Sequence, residues 1–151
     1  MSIGLRPILI VEDSPKDLEL TLAALARCKL ANPIEVARDG AEALDYLYAR
    51  GEWRDRASGD PAVVLLDLKL PKIDGLEVLE RVKTDALLRS VPVVMLTSSR
   101  EERDLVQSYQ LGVNAFVVKP VDFGEFLQAI QELGMFWGVL NEPPPRGERP
   151  R

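Results

Sequence analysis

Val63-Val64-Leu65-Leu66-Asp67-Leu68-Lys69-Leu70-Pro71 is the stretch that decides the fold. Four apolar residues open it, too few for a helix and half of them β-branched. A carboxylate follows at Asp67, and Pro71 ends the regular structure. A strand apolar at every position is buried on both faces, which requires a layer on each side of its sheet. Working outward, the same kind of run recurs at Ile8-Leu9-Ile10-Val11, Val93-Val94-Met95-Leu96 and Phe116-Val117-Val118. Each reads as a buried strand. Ile34-Glu35-Val36-Ala37 alternates instead, as an edge strand with one wetter face would.

Helix-period segments fill the intervals. Ser14 and Pro15 supply an N-cap and a first-turn proline, followed by Leu18, Leu22 and Leu25 on one predicted face. Asp39-Gly40 opens a second helix carrying Leu44 and Leu47. Leu76, Leu79 and Val82 mark a third, Val106 and Tyr109 a fourth. Phe123, Phe126, Leu127, Ile130, Leu133 and Trp137 mark a fifth. Strict βα alternation over five units predicts an α/β, doubly wound (βα)5 parallel sheet with helices on both faces. Residues 51–60, polar and bounded by Gly51, Gly59 and Pro61, read as an exposed insertion. Residues 142–151 read as a proline-rich basic tail.

Composition narrows the chemistry. The 151 residues suit one domain, and the formal charge of -5 has the wrong sign for wrapping a phosphate backbone, so no nucleic acid is expected. The lone Cys28 excludes an internal disulfide. With no histidine in the chain, Ser-His-Asp, Cys-His and His-zinc sites are excluded too. Neither a signal peptide nor a run long enough for a membrane span is present, so a soluble, cytoplasmic protein is expected.

In an open parallel sheet, ligands bind beyond the carboxyl ends of the strands. Glu12 and Asp13 follow the first run, Asp67 the third, Thr97 and Ser98 the fourth, and Lys119-Pro120 the fifth. Two carboxylates 4 Å apart repel by roughly 4 kcal/mol at an effective dielectric near 20. A hard divalent cation relieves that repulsion, and an oxygen-only cluster with an ammonium nearby suits Mg²⁺. A carboxylate is then the best nucleophile on offer, forming an aspartyl phosphate whose oxygens Thr97 and Lys119 could contact. Taken singly, these residues have plainer readings. Asp13 could cap a helix, as could Thr97, Ser98 or Ser99, and Lys119 could be a solvated charge. Their conjunction at one sheet edge favours the site.

Val11-Glu12-Asp13-Ser14, Leu66-Asp67-Leu68-Lys69-Leu70-Pro71, Asp74-Gly75, Val94-Met95-Leu96-Thr97-Ser98 and Lys119-Pro120 together resemble the receiver domain of two-component response regulators, from about Pro7 to Leu133. The resemblance implies a CheY-like, flavodoxin-like sheet of order 2-1-3-4-5. It implies Asp67 as phosphoacceptor, Asp13 as a direct Mg²⁺ ligand, Glu12 as a ligand through water, and the backbone carbonyl of Lys69 as a further ligand. Thr97 and Lys119 would bind the phosphoryl group, with Thr97 and Phe116 as the switch pair. Glu12 stands where aspartate is commoner, and Phe116 lacks the usual tyrosine hydroxyl. Lys69 places a cation where side chains often face the attacking water.

Tyr48 to Asp60, Leu68 to Lys72, and Phe136-Trp137 through Pro143 are similar, more narrowly, to single-domain regulators paired with phytochrome histidine kinases. That likeness implies a phytochrome-type kinase partner and a homodimer through the last helix and its extension, with Met135, Phe136, Trp137, Val139 and Leu140 as the contact. Residues 1–141 would form the receiver with its extension, and no output domain is expected beyond it. The protein would be a signalling phosphoacceptor rather than an enzyme, capable only of self-phosphorylation and self-dephosphorylation. Two rival readings stand beside it. A phosphate-independent interaction module would not need a complete site. A haloacid-dehalogenase-like phosphatase would need a second Asp where Lys69 stands.

Overall fold

The computed structural model describes residues 6–27, 32–56, 59–99, 101–102, 104, 113 and 115–132. Its strands are β1 (Ile8–Val11), β2 (Ile34–Ala37), β3 (Val63–Asp67), β4 (Val93–Thr97) and β5 (Ala115–Val118). They form one sheet in the order β2-β1-β3-β4-β5, parallel at every pairing, as the sequence predicts. The helices among the described residues are α1 (Pro15–Arg27), α2 (Gly40–Tyr48), α3 (Gly75–Thr84) and α4 (Phe123–Glu132). The segment around Val106 and Tyr109, and everything from Leu133 on, lies outside the described residues.

Alternate residues of each central strand serve opposite layers. Ile8, Ile10, Val63, Leu65, Val94 and Leu96 join Leu18, Leu25 and Phe126 in one core layer. Leu9, Val11, Val64, Leu66, Val93 and Met95 join Leu44, Leu47, Val78 and Leu79 in the other. All four residues of β1 are fully buried, which is why its sequence runs apolar without a break. The edge strands differ. β2 is wet along most of its length, as its alternation predicts, while β5 buries Ala115 and Val117 but leaves Phe116 and Val118 half-buried. The expectation of a fully buried fifth strand thus gives way to an edge strand paired on one side only.

Helix starts follow local chemistry. Ser14 Oγ accepts from Asp17 N–H at 3.2 Å, Asp39 Oδ1 from Glu42 N–H at 2.7 Å, and Asp74 Oδ1 from Glu77 N–H at 3.0 Å. On α1 the buried face is Leu18, Thr21, Ala24 and Leu25, and Leu22 is exposed. At about 100° per residue, Thr21 and Ala24 lie on the same side of Leu18 as Leu25 does, and Leu22 falls on the other.

Within residues 51–60, Gly51, Glu52, Arg54 and Asp55 are exposed as expected, whereas Trp53 and Arg56 are half-buried against α2. Trp53 packs edge-on against Tyr46 with ring centroids 4.9 Å apart, and its Nε1–H donates to Glu42 Oε2 at 3.3 Å. Arg56 covers the Tyr46 ring and donates to the carbonyls of Tyr46, Leu47 and Gly59. Tyr46 O already accepts the Ala49 N–H at 3.1 Å, and the guanidinium adds a donor there and at Leu47 O, where the helix runs out of N–H groups of its own. None of the helices described is long and apolar enough to cross a membrane.

Candidate functional site

β1 and β3 run side by side with Val11 opposite Leu66, so Glu12, Asp13 and Asp67 emerge together at the carboxyl end of the sheet. One oxygen from each lies within 4.8 Å of the others. Glu12 is completely buried, Asp67 is 6% exposed, and Asp13 is open to solvent. Asp13 does not cap α1, a role that falls to Ser14, so the plainer reading of Asp13 fails. It lines a groove of about 500 Å³ with Leu68, Lys69, Leu70, Pro71, Asp74 and Leu76.

Lys119, at the end of β5, is not a solvated charge either. Its ammonium lies 3.2 Å from Asp67 Oδ2, 3.1 and 3.4 Å from the two oxygens of Glu12, and 2.8 Å from Asp17 Oδ2. Asp17 is the contact that sequence reasoning missed. It stands on the first turn of α1, where an acidic residue is ordinary and carries no local mark of this role.

One ammonium among four carboxylates leaves three negative charges uncompensated when all are ionised. Protonation relieves part of this. Burial first, and then the charge of Asp67, push the Glu12 carboxyl up to about 7. Burial also raises Asp67, against the opposing pull of Lys119. Burial opposes the charge on Lys119 as well, but hydrogen bonding to Asp17 and the charges of Asp67 and Glu12 outweigh it and hold the ammonium above the ordinary lysine range.

Two buried oxygens show that the site is built for something more than these pairs. Thr97 Oγ1 is wholly buried at the end of β4 with no hydrogen-bond partner. Glu12 Oε1, although near the ammonium, is outside hydrogen-bonding geometry. Leaving the Thr97 hydroxyl unmatched costs about 1–3 kcal/mol. All-oxygen donors with excess negative charge fit a hard divalent cation.

The flanks of the site are braced. Gly75 sits so close to the chain at Asp67 and Leu68 that a Cβ there would collide with both carbonyl oxygens, and its N–H donates to Leu68 O at 2.8 Å. Lys69 carries its ammonium away to Glu102 Oε2 at 3.2 Å. Glu102 Oε1 accepts from Ser98 N–H at 2.7 Å, and Ser99 Oγ accepts from Glu102 N–H at 3.3 Å. Ser99, not Thr97, therefore does the capping after β4, which leaves the Thr97 hydroxyl to the site. Phe116 pairs with Met95 in the sheet and packs, half-buried, on the layer formed with α2 and α3.

Comparison with known proteins agrees with this geometry. A family model described as the response regulator receiver domain matches residues 8–131. The structure of the bacteriophytochrome response regulator AtBRR is 70% identical, covers 92% of this chain and 99% of its own, and superposes with a TM-score of 0.87. Response regulator Rcp1 of Synechocystis is 38% identical over 130 residues, 86% of this chain and 87% of its own. A structure of the Mn²⁺-bound form of Rcp1 is 36% identical, with a TM-score of 0.71 over 93% of this chain and 99% of that one.

Proposed function

The chain belongs to the response regulator receiver domain family, and from that membership we propose that it accepts a phosphoryl group on Asp67 and relays the signal by changing its protein contacts. The observation that carries this reading is the placement of Asp67: nearly buried, hydrogen-bonded to Lys119, and grouped with two further carboxylates.

The donor is the phosphohistidine of a partner kinase, since this chain has no histidine. A carboxylate oxygen of Asp67 attacks phosphorus, the P–N bond breaks, and its electron pair stays on the imidazole nitrogen, which takes up a proton. Glu12, Asp13, Asp67 and the carbonyl of Lys69 would hold Mg²⁺, which supplies charge compensation for the transferred group. That Rcp1 has been solved in a Mn²⁺-bound form supports a divalent cation here. Lys119 offers the phosphoryl oxygens a charge-assisted contact, and Thr97 offers them an unpartnered hydroxyl. Phe116, without a hydroxyl, would answer that change at Thr97 by packing alone.

Likeness to AtBRR supports a phytochrome-type histidine kinase as the partner. The chain would pair with a second copy through α4 and the extension containing Trp137, the extension lying outside the described residues. Turnover is limited to self-phosphorylation and self-dephosphorylation.

Acetyl phosphate with Mg²⁺ is expected to give one acid-stable, base-labile phosphate per chain. Asp67→Asn should abolish it, because an amide forms no acyl phosphate. Full labelling of that variant would place the acceptor elsewhere.

A further inference from the structure

Three carboxylates hold the Lys119 ammonium, and they are not equivalent. Glu12 and Asp67 belong to the cluster whose oxygens a cation would claim. Asp17 does not. It stands on the first turn of α1, is the most exposed of the three at 35% of its side chain, and makes the shortest contact at 2.8 Å. A cation drawing in the oxygens of Glu12 and Asp67 must take them from Lys119, because ammonium and cation compete for the same lone pairs. Asp17 alone stays available to the ammonium through that exchange.

We infer that Asp17 is a positioning residue for Lys119: it holds the ammonium at the mouth of the site while Glu12 and Asp67 turn to the metal and the phosphoryl group. The inference rests on the phosphoacceptor reading above. It also gives α1 a direct mechanical tie to the state of Asp67, since the ammonium touches the helix and the acceptor at once. Without Asp17 the ammonium has only Glu12 and Asp67 to neutralise it, and it settles on the oxygens that the cation needs. A site lacking Asp17 should therefore bind cation more weakly for a reason that runs through Lys119.

A double-mutant cycle on Mg²⁺ affinity, read by calorimetry, separates this from the plain loss of one negative charge. Asp17→Asn should weaken Mg²⁺ binding roughly two- to fivefold, the scale of a partly exposed ion pair. In a Lys119→Met background the same substitution should leave the affinity unchanged, and Asp17→Glu should recover most of the loss. An equal loss in both backgrounds would overturn the inference by making Asp17 a bulk charge. No loss in either would overturn it as well. Urea unfolding of the four metal-free proteins forms a second cycle. If the wild type bound no Mg²⁺, the phosphoacceptor reading would fail by itself. Coupling between positions 17 and 119 in the metal-free cycle would still support the contact, and its absence would remove it.

Discussion

Lys69 and Ser98 share one carboxylate: Glu102 pairs with the ammonium of the first through Oε2 and accepts the N–H of the second through Oε1. The loop after β3 is thus fastened to the end of β4 across the mouth of the site. The Lys69 side chain is 78% exposed, so its half of the bridge contributes little, about 0–1 kcal/mol. Glu102→Ala also strips the Ser98 N–H of its partner and should destabilise more than Lys69→Ala does. Chemical denaturation of the two variants checks the order, and high salt should shrink the Lys69 effect by the larger fraction.

Ser14, not Asp13, caps α1, and Asp13 crowds two other carboxylates. Asp13→Ala should therefore lower Mg²⁺ affinity while leaving the metal-free protein at least as stable as the wild type. A thermal melt in chelator, beside a Mg²⁺ titration, reads both. Unfolding of the variant would assign Asp13 a structural role.

Gly75→Ala places a methyl group against the carbonyls of Asp67 and Leu68. Backbone atoms yield little, so the variant should lose about 1–3 kcal/mol, in the range of overpacked cores. The shift would move the acceptor itself. Phosphorylation by acetyl phosphate should consequently slow more than the lost stability explains, measured where both proteins are fully folded.

Tyr48 ties the end of α2 to the turn after α3, its hydroxyl donating to Asp85 Oδ2 at 2.7 Å. This bond, with the N–H of Leu87 and then that of Leu88, holds the Asp85 carboxyl below its ordinary value. A depressed carboxylate stabilises the fold above the unfolded value of about 3.9 and loses that contribution as pH falls through its folded value. Wild type should exceed Tyr48→Phe in urea midpoint at pH 6, and the gap should close on acidification below pH 4. A gap that persists unchanged at pH 2 would refute the assignment.

Arg56 fastens residues 51–60 to α2 through two carbonyls, Tyr46 and Leu47, and one aromatic face, and reaches Gly59 O within its own segment. Arg56→Ala should cost about 1–3 kcal/mol and loosen Trp53 from Tyr46. In a Trp137→Phe background Trp53 is the remaining indole, and its emission should shift to the red.

The strands, their parallel direction and the acidic cluster were legible because each rests on a local pattern: apolar runs of fixed length, and the residue type just after each run. Ser14 was readable as a cap and Asp39 as a helix opening for the same reason. The order of the strands came only with the receiver-domain resemblance. What escaped depends on distance in space. Nothing local distinguishes Asp17 from any acidic residue in a first helical turn, because its meaning comes from a lysine 102 positions away. Arg56 looked like one more charge in a polar segment, and only its fit over Tyr46 reveals a clamp. Leu22 misled because a Leu every third or fourth residue spans more of the helix than the sheet covers.

The ammonium of the site rides on an edge strand. β5 has a neighbour only in β4, whereas β1 and β3, which carry the acids, are enclosed on both sides. Lys119 meets Glu12 across 107 residues of chain, a closure that local structure does not favour in advance. Peeling of β5 would withdraw the cation and leave the carboxylates standing, so the two halves of the site belong to regions of different opening cost. Amide protons of β5 should exchange with deuterated solvent ahead of those in β1 and β3.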